Sequence, residues 1–181
     1  AGLVYVEMTC TSADARITIG CPGLYAPEHS VAWRRVTDFV HQESAAKICV
    51  QLGHAGPKGS TQRGWEKMDT PIVGDKLNAN WPLKAASSVA WSIDNQIPSA
   101  MTEEMMDQVQ NDFVSAAKMA LEAGFDMVEL HCAHGYLLSS FITSLTNERD
   151  DEYGGSLDNR LRYPLRVFTA IRDVLPKDMP M

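Results

Sequence analysis

The stretch DMVELHCAHGY, Asp126 to Tyr136, combines the alternation of a β-strand with polar residues at its end. Successive side chains of a strand point to opposite faces. One face of this strand is apolar and comprises Val128, Leu130 and Cys132. The opposite face comprises Met127, Glu129 and His131. Polar residues on one face near the carboxyl end are typical of a barrel whose mouth holds a site, because a sheet covered by helices on both sides is normally apolar on both.

Two earlier stretches repeat this pattern. KICVQLGH, Lys47 to His54, places Gln51 near its carboxyl end, and LVYVEMT, Leu3 to Thr9, places Glu7 there. A helical pattern separates each strand from the next, and this alternation predicts parallel βα units. No GxGxxG motif follows any of these strands. We therefore expect a (β/α) barrel in preference to an open dinucleotide-binding sheet.

Three helices accompany the predicted strands. The first covers residues 28–42, and its predicted buried face comprises Ala32, Val36, Phe39 and Val40. The second begins after the N-cap Thr102. Its predicted buried stripe comprises Met106, Val109, Phe113, Ala117 and Ala120. The third extends from about Ser156 to Leu175, and we expect Asn159 and Arg160 to tie it to neighbouring loops.

The predicted strands account for only part of a barrel. A complete (β/α)8 barrel has about 250 residues, whereas this chain has 181. We therefore predict an α/β fold in which residues 1–181 form a single partial domain, a segment of a (β/α)8 TIM barrel with about three βα units. We expect the barrel to extend beyond this segment on both sides.

Residues 55–101 show little periodicity and contain scattered glycine, proline and tryptophan. A region of this length without regular structure is uncommon in a compact domain unless it forms a lid or a binding loop. We predict a lid or insertion here, with a mobile surface insertion as the alternative. Trp65, Trp81 and Trp91 favour the lid, because tryptophan is costly to leave exposed.

Composition argues against several classes of protein. With 16 basic and 23 acidic residues the net charge is -7, so nucleic acid is not an expected partner. No apolar stretch approaches the ~20 residues of a membrane span, and no membrane partner is expected. The cysteines are Cys10, Cys21, Cys49 and Cys132. Their spacing favours neither a disulfide framework nor a cysteine zinc site, and we expect reduced thiols and a cytoplasmic location.

The pair His131 and His134 allows three interpretations. A metal-dependent hydrolase would need a third ligand, for which His54 is a candidate, but no carboxylate completes the set and we predict no metal. The histidines can instead be satisfied by backbone partners in the core. In the third interpretation, their N–H groups converge on one oxygen and stabilise developing negative charge. Tyr136 then gives or takes a proton, and the Gln51 amide suits the edge of a flat heterocycle.

Longer motifs resemble a known family. HCAHGY, from His131 to Tyr136, is followed by NERDDEYGGSLDNR, from Asn147 to Arg160. Together with VEMT, ARITIGCPGLY and KICVQLGHAG, these motifs resemble the old yellow enzyme family of FMN-dependent ene-reductases along the whole chain. The paired histidines resemble the class that contains the bacterial xenobiotic reductases. GHAGPKGSTQRGWE, from Gly53 to Glu66, also resembles the reductase domain of bifunctional enzymes that act on aromatic acyl-CoA esters.

The family resemblance implies an enzyme that uses FMN and NAD(P)H to reduce an activated alkene, of the enone or enoyl-CoA type. NAD(P)H gives hydride to the flavin and leaves before the alkene is reduced. By the same resemblance, His131 and His134 hydrogen-bond the activating oxygen of the substrate, and Tyr136 protonates its α-carbon. The implied cofactor contacts are Gln51 at the flavin pyrimidine edge, the main chain around Met8, and His131.

Several flavin-binding parts of the family barrel are not among these motifs. They are the first strand, the strand with an arginine facing the flavin, and the last two strands, which bind the phosphate. We therefore expect this chain alone to hold FMN weakly or not at all. The alternative function is an incomplete barrel without catalysis that acts as a binding or self-associating module, because its outer strands have unpaired edges. The expected partners are a small-molecule alkene and further copies of the chain in a homo-oligomer.

Overall fold

The computed structural model describes residues 1–67, 69–72 and 80–181. The strands are, in chain order, β1 (Leu3–Cys10), β2 (Lys47–Gly53), β3 (Lys84–Ala85), β4 (Ser99–Ala100) and β5 (Met127–Leu130). The α-helices are α1 (Pro27–Glu43), α2 (Gly64–Lys67), α3 (Glu103–Glu122), α4 (Leu137–Ile142) and α5 (Leu157–Val174). Short 3-10 helices at Ala13–Ala15 and Gly56–Lys58 follow β1 and β2.

A parallel sheet with the order β1-β2-β5 forms the centre of the fold, and the predicted βα units are present. In this sheet Met8 aligns with Gln51, and Gln51 aligns with Glu129. Aligned residues of parallel strands point to the same face, so these side chains form one row across the sheet. The opposite face is buried and comprises Ile48, Val50, Leu52 and Val128. One face of the sheet therefore belongs to the core, and the other carries polar groups.

Helix α3 forms as its sequence predicts. The Thr102 side chain caps it by accepting a hydrogen bond from the backbone N–H of Met105, at 3.3 Å. All the residues of the predicted stripe are buried: Met106, Val109, Phe113, Ala117 and Ala120. Helix α5 packs on α3, and the Tyr163 hydroxyl donates to the backbone carbonyl of Met106 at 3.1 Å. The apolar stripe of α3 is thus covered by α5 and the sheet.

The start of α5 is tied to neighbouring loops, as predicted. The Ser156 hydroxyl accepts from the backbone N–H of Asn159 at 3.3 Å. The Asn159 amide donates to the carbonyl of Gly154 at 3.0 Å, and the Arg160 guanidinium donates to the carbonyl of Ile142 at 2.8 Å. Side chains of α5 thus donate hydrogen bonds to backbone carbonyls at the end of α4 and in the loop before α5. These bonds fix the path of the chain between the two helices.

The predicted buried face of α1 was wrong for three of its four residues, whereas Val40 is partly buried and packs against the core. Ala32 is exposed, Val36 is 41% exposed and Phe39 is 65% exposed. The buried residues of this helix are Ser30 and Thr37, whose hydroxyls donate to the carbonyls of Met119 and Ala123. The helical period was therefore right, but the side that faces α3 carries small polar residues. They permit close approach and satisfy carbonyls at the end of α3, which a face of larger apolar side chains does not do.

Most of the excursion over residues 55–101 is described, whereas Met68 and residues 73–79 lie outside the described part. Trp81 is buried, as expected for a residue that is costly to expose. Trp65 is 80% exposed and Trp91 is 44% exposed, so the expectation of covered tryptophans was wrong for these two residues. None of the helices in the described ranges has the length and apolar character needed to cross a membrane.

Candidate functional site

The carboxyl end of β5 places His131 on the polar face of the sheet. Its backbone N–H donates to the carbonyl of Leu52 at 2.9 Å, which continues the ladder one residue past the strand. By alternation, its ring shares a face with Glu129 and Gln51. Gly53 makes room for it, because a Cβ there would lie 2.5 Å from Cγ of Met8 and 3.4 Å from Cβ of His131. The glycine thus lets Met8 and His131 approach each other across β2.

The hydrogen bonds of His131 determine which nitrogen carries its proton. The backbone N–H of Ala133 donates to Nδ1 at 3.3 Å, so the hydrogen of the neutral ring is on Nε2. Burial lowers the pKa of His131, and the charge of nearby His134 lowers it further, against an opposing effect of Glu129. The ring is therefore a neutral N–H donor at pH 7, which suits hydrogen bonding to a substrate oxygen.

A tight turn brings His134 next to His131. His134 has φ 61° and Gly135 has φ 74°, so two consecutive residues adopt the left-handed conformation. The backbone N–H of Tyr136 donates to the carbonyl of Ala133 at 3.2 Å and closes the turn. As a result, the His134 and His131 ring centroids are 5.0 Å apart and nearly perpendicular, with His134 exposed. A strained turn that aims a side chain in this way is typical of functional sites.

Tyr136 completes the cluster. It stands at the N-terminus of α4, and its ring centroid lies 5.0 Å from that of His131 and 6.3 Å from that of His134. Burial raises the pKa of Tyr136, and the negative charges of Asp69 and of the Cys21 thiolate raise it further. The phenol therefore keeps its proton at neutral pH, as a proton donor must.

Gln51 and Met8 lie beside this cluster on the neighbouring strands. The Gln51 amide nitrogen donates to Oε1 of Glu129 at 2.9 Å. That bond uses one amide hydrogen, which leaves the second hydrogen and the carbonyl oxygen for a ligand. Met8 is buried in a small cluster against which Tyr136 packs. The structure thus places every predicted site residue at one end of the sheet.

Sequence reasoning missed Lys58 and Trp91. The Lys58 ammonium lies 3.4 Å from the centroid of the Trp91 ring and 5.8 Å from that of Tyr136. Burial lowers the pKa of Lys58, against an opposing effect of Asp69. Only the position of Lys58 in the sequence could have identified it. It follows the carboxyl end of β2, at the same edge of the sheet where His131 follows β5.

A cavity of about 430 Å³ opens beside Tyr136. Its wall also includes Cys21, Arg63, Trp65 and Asp69. The pocket is therefore polar as well as aromatic, and it borders the phenol directly. Arg63 lies near the face of the Trp65 ring, with its guanidinium carbon 5.6 Å from the centroid.

His54 does not join the cluster. Its Nδ1 accepts the backbone N–H of Gly56 at 3.0 Å, and its Nε2 is buried without a hydrogen-bond partner in the described chain. It lies near Asp14 and Lys84 rather than beside the other histidines, and burial lowers its pKa to about 4. Within the described ranges, no group of three or more His, Cys, Asp or Glu side chains is placed to hold a metal ion. The geometry gives the proposed set His54, His131 and His134 no support.

Comparisons with known proteins show the family of this chain. The sequence model of the NADH:flavin oxidoreductase / NADH oxidase family matches residues 1–179. An NADH:flavin oxidoreductase of Gibberella zeae is 40% identical over 99% of this chain and 44% of its own length. An NADPH dehydrogenase of Geobacillus is 36% identical over 96% of this chain and 45% of its own length. The chain therefore spans about half the length of these relatives.

A solved structure shows the same fold. The crystal structure of Old Yellow Enzyme from Pichia superimposes with a TM-score of 0.84 and 30% identity, over 99% of this chain and 45% of that one. The three-stranded unit is thus part of a TIM barrel, as predicted, and the family's cofactors are FMN and NAD(P)H. With the family model matched over almost all its residues, the chain belongs to the NADH:flavin oxidoreductase family of old yellow enzymes.

Proposed function

We propose that the protein is an FMN-dependent oxidoreductase that transfers hydride from NAD(P)H, through the flavin, to an activated alkene of the enone or enoyl-CoA type. One observation carries this proposal. At the carboxyl end of β5, two histidines and a tyrosine lie ring to ring, with centroids 5.0 Å and 6.3 Å apart. The histidine N–H groups can stabilise the negative oxygen of an enolate, and the protonated phenol can protonate its α-carbon.

The residues on the polar face fit a flavin. The pyrimidine edge of a flavin presents carbonyl oxygens and one N–H, which a carboxamide complements with its donor and its acceptor. Gln51 retains both functions beside its bond to Glu129. The main chain at Met8 lies on the adjacent strand, and His131 lies on the same face of the sheet as Gln51. When bound there, FMN would supply the hydride-transfer chemistry, while the protein binds and orients it.

The protein's own groups then act on the substrate. The Nε2–H of His131 and an N–H of His134 hydrogen-bond the activating oxygen and stabilise the negative charge that develops on it. His131 needs no proton rearrangement, because the N–H of Ala133 already fixes its tautomer. Tyr136 donates its phenolic proton to the α-carbon. Its raised pKa keeps that proton available at neutral pH.

Flavin binding and hydride transfer test this proposal. The purified chain is titrated with FMN to millimolar concentration and followed by flavin fluorescence, so that weak binding is also detected. We expect saturable quenching that Gln51→Leu abolishes and that Gln42→Leu, on the exposed surface of α1, leaves unchanged. NAD(P)H should then bleach the bound flavin under nitrogen, and an enone should restore its colour. A chain whose bound, reduced flavin an enone does not reoxidise contradicts the proposal, and a chain that binds no FMN favours the alternative of an incomplete barrel without catalysis.

A second candidate function, self-association, rests on an apolar surface. Leu3, Val4 and Tyr5 of the edge strand β1 are 40%, 39% and 48% exposed. Beside them, a cavity of about 490 Å³ is lined by apolar residues that include Leu165 and Phe168 of α5. The occupant that this surface suits is a second copy of the chain, which gives a homo-oligomer. Sedimentation should show a dimer or larger species that Phe168→Glu dissociates, and a monomer contradicts this candidate.

A further inference from the structure

Two cysteines lie close together beside Tyr136: Cys21 lines the pocket wall, and Cys10 is buried in the cluster against which Cys21 packs. Cys10 is the last residue of β1, and the chain then turns through residues 13–15 and returns. The backbone N–H of Cys10 donates to the carbonyl of Pro22 at 3.0 Å, and that of Leu24 donates to the carbonyl of Cys10 at 2.9 Å. This short parallel pairing fixes Cys21 beside Cys10. Both thiols are free, and Cys21 packs against the small buried cluster that contains Cys10.

The environments of the two thiols differ. Cys10 is fully buried, whereas Cys21 is half-buried and lines the cavity of about 430 Å³ beside Tyr136. The backbone N–H of Thr18 donates to Sγ of Cys21 at 3.3 Å, and the Thr18 hydroxyl lies 3.7 Å from the same sulfur. These groups stabilise a thiolate, and the hydrogen bond from Cys10 is the largest cause of a Cys21 pKa lowered to about 5. The hydrogen bond to Cys21 and burial raise the pKa of Cys10.

We propose that Cys10 and Cys21 form a redox-active dithiol, with Cys21 as the attacking thiol and Cys10 as the resolving thiol, which a hydroperoxide oxidises to an intramolecular disulfide. The pocket gives a small oxidant access to Cys21, while burial shields Cys10. Accessible thiolates are the cysteines that peroxides oxidise first, and a neighbouring thiol then resolves the product.

The chemical steps balance. The Cys21 thiolate attacks one oxygen of hydrogen peroxide, so that an S–O bond forms, the O–O bond breaks and hydroxide leaves. Cys21 is then a sulfenic acid. The sulfur of Cys10 attacks that of Cys21, the S–S bond forms, and the S–O bond breaks as hydroxide departs with the Cys10 proton as water. In total, two thiols lose two electrons and the peroxide is reduced to water.

Oxidation should affect Tyr136, which packs against the same cluster as the two cysteines. Thiolate charge on Cys21 contributes to the raised pKa of Tyr136. A disulfide carries no charge, so its formation removes that contribution and lowers the pKa of the phenol. The consequence for catalysis rests on the proposed function of Tyr136 as proton donor. Formation of the disulfide does not, since it depends only on the two thiols.

The experiment follows the thiols rather than any activity. The reduced chain is treated with stoichiometric hydrogen peroxide, alkylated and digested with trypsin. Cleavage after Arg16 separates the two cysteines, so the disulfide appears as a cross-linked pair of the peptides 1–16 and 17–34. We expect this pair as the main product, with Cys49 and Cys132 recovered in alkylated form. Before oxidation, Cys21 should react with iodoacetamide at least about tenfold faster than half-buried Cys132 at pH 7.

Two variants show the order of events. Cys10→Ser should stop at the Cys21 sulfenic acid, which dimedone traps, whereas Cys132→Ser should form the disulfide as the parent chain does. If either variant fails to fold, the result for the parent chain still decides. The proposal is overturned if the parent gives no cross-linked pair, if Cys21 proceeds to sulfinic acid with Cys10 still reduced, or if Cys132 reacts as fast as Cys21. None of these outcomes depends on whether the chain binds FMN.

Discussion

His54 and His131 occupy almost the same local structure and have different surroundings. Each follows the end of a parallel strand, and each accepts at Nδ1 a backbone N–H from two residues later, at 3.0 Å and 3.3 Å. The strand register separates them, because Leu52 aligns with Leu130 and His54 is therefore one position beyond the alignment of His131. Because side chains alternate along a strand, His131 lies on the polar face of the sheet with Gln51, and His54 points into the interior.

This difference shows how one motif serves chemistry in one place and structure in the other. The backbone sets the tautomer of both rings in the same way. The free Nε2 of His131 lies beside His134 and Tyr136, whereas that of His54 is buried without a partner in the described chain. Site and scaffold are thus distinguished by a shift of one residue in register. Variants of residues that follow the carboxyl ends of β2 and β5 test that distinction.

The largest effect is expected for His131→Ala in the flavin-loaded enzyme. Loss of one donor to a developing oxyanion lowers the rate of alkene reduction by roughly 100- to 1000-fold. The unfolding free energy should change far less than the rate, because the ring lies on the polar face of the sheet and not in the apolar core. Steady-state kcat/KM with an enone and urea denaturation measure the two quantities. Unchanged kcat/KM would show that the ring is not at the reacting centre.

The next effect is a dependence of the unfolding free energy on pH that arises from His54. The folded protein holds this ring neutral with a pKa of about 4, against 6.5 ordinarily, because of burial. Between pH 6.5 and 4 the unfolded chain therefore binds the additional proton, and the free energy of unfolding falls as pH falls through this window. The maximum slope is about 1.4 kcal/mol per pH unit.

Urea denaturation at pH values across that window checks this prediction. His54→Gln should show a shallower pH dependence than the parent chain. Gln42→Leu is the control, because it changes an exposed residue of α1 that does not titrate, and it should leave the slope unchanged. Parallel curves for His54→Gln and the parent would mean that the ring takes up its proton in the folded state.

A smaller effect on the unfolding free energy is expected at Gly56, where the turn after β2 touches the start of α4. Gly56 donates to His54 and has φ 58°, and a Cβ there would lie 2.6 Å from N and 2.7 Å from Cα of Leu137. Gly56→Ala should lower the unfolding free energy by about 1–3 kcal/mol through the strained backbone and the clash. Gly155→Ala is the control, because Gly155 has φ 76° but nothing within 4 Å. Equal losses in the two variants would remove the clash from the explanation.

The smallest effect is expected for Lys58→Met. This change keeps the length of the side chain but removes the ammonium that faces Trp91 at 3.4 Å. We expect the unfolding free energy to fall by about 0.5–1 kcal/mol. Lys118→Met, on the exposed side of α3, should have no such effect. If both variants are as stable as the parent, the contact between Lys58 and Trp91 does not stabilise the fold of residues 55–101.

The sequence predicted the parts of the molecule that local periodicity decides. Strong amphipathic periodicity identified the buried apolar stripe of α3. Alternation along β5 correctly placed His131 on the polar face of the sheet. The face of α1 was missed because Ser30 and Thr37 are small and polar, and they are buried by close approach to α3. The neighbours Lys58, Trp91 and the Cys10–Cys21 pair were also missed. Their contacts depend on how separate loops fold back onto one another, which periodicity does not encode.

The most direct test of the central claim separates the two half-reactions in Tyr136→Phe. This variant keeps the ring and its packing but removes the phenolic proton. Stopped-flow absorbance should show flavin reduction by NAD(P)H within about twofold of the parent enzyme, since Tyr136 is not assigned a role there. Reoxidation by the alkene should be slower by roughly 100-fold. Equal losses in both half-reactions, or none in reoxidation, would contradict Tyr136 as the proton donor of this site.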